Sequence, residues 1–154
     1  MAAEIAPERL AELVARTLED AAFVFTEPAD PSAPLEAPAL QARLDFEGPS
    51  RGELSLTTTP AVARSLAANL LGLEPGDRDI ELRAGDALGE IVNMLAGAVV
   101  LELFGPAAQV HIGVPAVREL GEVPAPGGGT SASLATEDGD RLDAVVRPLA
   151  GSPP

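Results

Sequence analysis

The sequence predicts an α+β domain, an antiparallel or mixed β-sheet packed with two long helices plus an N-terminal helix. Three observations carry that prediction. Short segments with apolar residues at alternate positions come in pairs joined by turn residues, EGPSRG over 47–52 and Asp138-Gly139. Three longer segments, 7–22, 60–71 and 83–106, instead repeat their apolar residues at helical spacing. The strands also follow one another at hairpin rather than βαβ spacing, which argues against an all-parallel sheet.

A chain of 154 residues suits a single domain over 1–154 with a real core. Its 24 acidic and 10 basic residues give a net charge of −14. That charge repels phosphate backbones and anionic lipid, so the expectation is no nucleic acid and no membrane partner, and a basic protein surface instead. The absence of cysteine excludes disulfides and thiolate metal sites, and a single histidine excludes imidazole-rich ones. At the N-terminus, Glu4, Glu8 and Glu12 stand where a signal peptide would be apolar, and no uninterrupted run of 18 apolar residues occurs. A soluble, cytoplasmic protein is expected. With few aromatics, stacking of bases or sugars has little to rest on.

In chain order, Pro7–Ala22 reads as an amphipathic helix, with Pro7 in its first turn and Leu10, Leu13, Val14 and Leu18 on one side. Ala22–Thr26 is an apolar run rich in Phe and Val, read as a short strand. The proline-punctuated stretch 27–38 is a loop. Leu40–Phe46 and Gly52–Thr58 alternate as a hairpin, and Thr59 before Pro60 caps a helix that Gly72 stops after Leu71. A loop over 74–83 leads to the long helix. Ala107–Val114 is a further strand closed by Pro115, and a Pro- and Gly-rich connector over 122–129 precedes a last hairpin, 131–136 and 142–148, with a two-residue turn. The tail 151–154 is expected to be disordered.

The long helix holds the anomaly. At about 100° per residue, with Asp86 at zero, Glu90 falls near 40°, Asn93 near −20° and Gly97 near 20°. Leu88, Ile91, Val92, Leu95 and Val99 lie on the opposite side. A solvated helix face would mix Lys, Arg and Glu and would avoid a central glycine that costs roughly 1 kcal/mol. The same residues admit a plainer reading, with Asp86 as an acid near the helix N-terminus, Glu90 as a surface glutamate and Asn93 as a tolerated asparagine. Spacing alone leaves both open. Elsewhere, His111 has no second ligand nearby in sequence, Gly127–Gly129 lacks the context of a phosphate loop, and Asp77, Asp79 and Glu81 lack calcium-loop spacing. None of these is assigned a role, and no metal site is expected.

The segment GDALGEIVNMLAG, with its pattern Asp-x3-Glu-x2-Asn, and HIGVP further on resemble the signature of the CheC/CheX/FliY family of chemotaxis phosphatases. GELSLTTTPAVARSLAANLLG resembles the strand–helix unit that precedes it, so the likeness runs over roughly 40–117. CheC and FliY relatives show the motif twice; the single copy here points to the CheX branch. The resemblance implies a CheX/CheC-like fold and an enzyme that hydrolyses the aspartyl phosphate of a phosphorylated CheY-like response regulator. By the same resemblance Glu90 and Asn93 are the catalytic pair, Asp86 and Gly97 belong to the partner-binding stripe, and no cofactor sits on this chain, the Mg²⁺ being the partner's. A homodimer is expected from the resemblance. The alternative is a non-catalytic response-regulator-binding or flagellar-switch-like interaction domain on the same fold.

Overall fold

A computed structural model of the chain describes residues 4–74, 76–125 and 127–149. The tail 151–154 lies outside them. Helix α1, Pro7–Ala22, buries Leu10, Leu13, Val14 and Leu18, as its periodicity requires. It ends at Phe23, whose φ of 53° is left-handed and whose N–H reaches Glu19 O at 3.1 Å. The apolar run 22–26 is therefore a helix stop and connector rather than a strand. Strand β1, Thr26–Pro28, starts where that run ends.

Strands β2, Ala39–Glu47, and β3, Arg51–Thr58, form the expected hairpin. In helix α2, Pro60–Leu71, Val62 N–H donates to Thr59 Oγ1 at 3.2 Å, and Gly72 closes the helix at φ 66°. Helix α3 runs Asp79–Phe104, so it begins inside the stretch expected to be loop. Asp77 Oδ1 accepts the Asp79 N–H at 2.9 Å, an Asx turn that starts the helix early. The strand expected over 107–114 shrinks to β4, His111–Ile112, and Pro115 does not end pairing, because β5, Ala116–Leu120, follows it. Strands β6, Thr130–Thr136, and β7, Arg141–Pro148, close the chain. Their loop holds three residues rather than two: Thr136 N–H bonds Asp140 O, Gly139 N–H bonds Thr136 O, and Gly139 takes φ 83°.

All pairings are antiparallel, in the order β1-β6-β7-β3-β2-β4, with β5 also on β2 beyond β4. The register aligns Ala42, Leu56, Ala144 and Ala132 in one row and Leu44, Leu54 and Val146 in the next. These rows face the helices and join one core with Leu10, Leu18, Leu66, Leu88, Ile91 and Leu95. The opposite face is polar. There Arg118 donates to Gln41 at 3.1 Å and Gln41 to Thr57 at 3.0 Å across three strands. The fold is thus the expected α+β class, with a single antiparallel sheet under three helices among the described residues.

By length and a mean hydropathy of 1.7, α3 could cross a bilayer, but half of that apolar window is buried in the core. Its hydrophobicity serves packing. Leu88, Ile91, Val92, Leu95 and Val99 are at most 1 % exposed. At roughly 1.5–3 kcal/mol for each large side chain buried, this face alone holds α3 to the sheet.

Candidate functional site

Because the apolar face of α3 is fixed against the sheet, its other face must look outward. Asp86, Glu90, Asn93 and Gly97 are all exposed. Three of them, Asp86, Glu90 and Asn93, line one open groove of about 670 Å³. Its far wall is the segment from Ile112 to Pro115 with Val117, and Leu71 and Arg83 lie at its margin. Gly97 shares the exposed face but not the groove lining.

The wall stands close to α3, most tightly at Gly85, whereas a side chain at Gly89 would make only ordinary van der Waals contact with it. A Cβ at Gly85 would meet Val117 Cγ1 at 3.3 Å, and one at Gly89 would meet Val117 Cγ2 at 3.6 Å and Pro115 Cβ at 3.7 Å. Neither glycine stood out in the sequence, since the stripe arithmetic attends to polar residues; the signal was three glycines, 85, 89 and 97, at four- and eight-residue intervals on one helix. At Gly97 an added Cβ meets nothing within 4 Å. The space there is open to solvent. Where the wall bends between β4 and β5, Gly113 N–H bonds Asp45 O at 2.8 Å, and the turn leaves Val114 90 % exposed.

Asp86 is not an acid of the helix start. With α3 beginning at Asp79, the first-turn acids are Asp79 and Glu81, and Asp86 lies about two turns in, beyond the reach of the helix dipole. Its one ionic contact is an exposed pairing with Arg83 at 3.8 Å, of a kind worth little. Among the described residues, no cluster of three or more His, Asp and Glu side chains could hold a metal ion. His111, exposed on β4, is paired through its backbone with Glu47.

Chemically, the groove offers a carboxylate and a carboxamide one turn apart on a rigid helix, facing a short loop. No nucleophile or imidazole base accompanies them in the lining. Such a site can bind a cation and hold a water, but its chemistry needs a reactive group carried in by something else.

Fold and site together define a class, a small α+β domain presenting an acid–amide pair from its core helix to an open groove. The chain belongs to the CheX family: the family model for chemotaxis phosphatase CheX matches residues 40–135. No curated protein matches it. Among solved structures, CheX from Desulfovibrio desulfuricans is similar at a TM-score of 0.69 and 18% identity, covering 91% of this chain and 96% of its own. CheX from Vibrio vulnificus gives 0.69 at 19% identity, covering 90% and 93%. CheX in the CheX–CheY–BeF3–Mg complex from Borrelia burgdorferi gives 0.67 at 17% identity, covering 91% and 96%. At these identities the likeness is one of fold.

Proposed function

We propose that this chain hydrolyses the aspartyl phosphate of a phosphorylated CheY-type response regulator, with Glu90 and Asn93 as the catalytic pair. The observation that carries the reading is that both side chains are exposed and line the same groove on a helix whose other face is locked in the core. The family's description as chemotaxis phosphatases supports the reaction class, and the CheX–CheY complex supports the kind of partner.

In the reaction, water attacks phosphorus, the bond from phosphorus to the aspartyl oxygen breaks, and the products are a carboxylate and inorganic phosphate. The loose transition state demands alignment and charge neutralisation more than a strong base. Asn93, whose amide both donates and accepts hydrogen bonds, holds the water in line. Glu90, one turn earlier, pairs with a regulator lysine beside the phosphoryl group. Mg²⁺ is supplied on the regulator, and Asp86 and the open space at Gly97 receive its loops. In solution the chain forms a homodimer.

The test is phosphate release from purified phosphorylated regulators of the same genome, with and without this protein. Asn93→Ala should lower kcat on the order of 10²-fold with KM little changed, and Glu90→Ala should raise KM as well. Parent-like rates in both variants would overturn the assignment of Glu90 and Asn93 as the catalytic pair, and no release by the parent itself would leave the groove to docking without catalysis.

A further inference from the structure

At the end of the fold where α1 stops, two of the chain's four phenylalanines face solvent: Phe23 is 73% exposed and Phe25 51%. Phe23 is also the one non-glycine residue with positive φ among the described residues. A left-handed helix stop is easier for glycine or asparagine, and an exposed phenyl ring gains nothing by burial. The native residue is thus unfavourable on both counts at its own position. Its geometry is nonetheless firmly held, by Phe23 N–H to Glu19 O at 3.1 Å, Val24 N–H to Leu18 O at 3.2 Å, and Asn69 Nδ2 of α2 to Ala22 O at 2.7 Å. A disfavoured, well-fixed, exposed aromatic residue is what a binding surface requires and a folding core does not.

The surroundings define the occupant. Phe23 and Phe25 border a depression of about 270 Å³ with Ala61 and Val62 on its floor and Glu137, Asp138 and Asp140 on its rim, and none of its lining residues is basic. Exposed Glu19 and Asp20 precede Phe23 in the last turn of α1, which has no basic residue to offset them or the negative end of the helix dipole. We propose that Phe23 and Phe25 form a docking surface for a cationic amphipathic segment of a partner protein, apolar side chains on the rings and Lys or Arg on the acidic rim. A second copy fits poorly, because a two-fold contact through this patch brings acidic rim against acidic rim.

The probe is a fluorescein-labelled peptide of leucine and lysine only, about 16 residues long, with leucines at helical spacing; its control is the same composition scrambled. Fluorescence anisotropy with the full chain should show the amphipathic peptide binding at least about tenfold tighter than the scrambled one, and more weakly in raised salt. Phe23→Gly and Phe25→Ser should each abolish that preference, while Phe23→Gly keeps or raises Tm and neither variant alters phosphatase activity. Equal affinity of the parent for the two peptides, or a preference that survives both substitutions, overturns the proposal. So does a concentration-dependent dimer in sedimentation that Phe23→Gly abolishes, since it would assign the patch to a second copy.

Discussion

Gly97 allows folding and the proposed function to be tested apart at a single residue. A mid-helix glycine costs roughly 0.5–1 kcal/mol against alanine, and a Cβ there meets no neighbour within 4 Å, so the fold has no use for the vacancy. Gly97→Ala is expected to raise stability by about that amount in thermal denaturation while raising KM for the phosphorylated regulator. Raised stability with unchanged KM would remove Gly97 from the partner surface. Asp86→Ala has a different profile: with only an exposed pairing to Arg83 to lose, stability should move by less than about 0.5 kcal/mol, and any larger effect should appear in regulator binding. The exposure of Asp86, Glu90, Asn93 and Gly97 was legible from angular spacing because α3 is long, regular and apolar on one side. Gly85 and Gly89 were not. The tight fit at Gly85 and the looser one at Gly89 are set by Val117 and Pro115, which approach from another element, and no local pattern encodes that approach.

At the scale of the element, α3 is divided along its length into a face buried in the core and an exposed face that carries the proposed site. Leu95 is fully buried two residues from exposed Asn93. Leu95→Ala should therefore cost about 2–5 kcal/mol in denaturant unfolding yet leave kcat near the parent value at temperatures where the variant stays folded. A kcat loss as large as that of Asn93→Ala would mean that the two faces are coupled. The elements that the sequence revealed carry local signals: Pro7 for α1, Thr59, Pro60 and Gly72 for α2, alternation for β2, β3, β6 and β7. Those it hid lack them. β5 is exposed at four of its five positions, follows a proline and exists because residues 39–43 offer it a free edge. The first turn of α3 is started by two hydrogen bonds to Asp77, from Asp79 N–H to its side chain and from Ile80 N–H to its backbone carbonyl, within a stretch whose Pro75-Gly76 reads as loop. At Asp138-Gly139 the dipeptide fixed the turn's place but not its length, since glycine at φ 83° serves a three-residue loop as well as a two-residue one.

For the molecule as a whole, charge and sheet edges decide how it meets a second copy of itself. Strand β1 is three residues long and ends in Pro28, and the opposite edge is broken between β4 and β5, so both edges resist open-ended pairing. β5, with five residues, is the longer run of backbone for a homodimer built by sheet extension. Two copies each carrying −14 repel one another, and screening reduces that repulsion more than it weakens backbone hydrogen bonds. The dimer is accordingly expected to strengthen with salt, whereas the cationic segment at Phe23 and Phe25 should be weakened by it. Sedimentation velocity at about 50 and 500 mM NaCl, spanning Debye lengths from roughly 14 to 4 Å, should show a rising dimer fraction. A monomer at both salts would remove the homodimer, and a dimer that dissociates as salt rises would place opposite charges, rather than sheet backbone, at its interface.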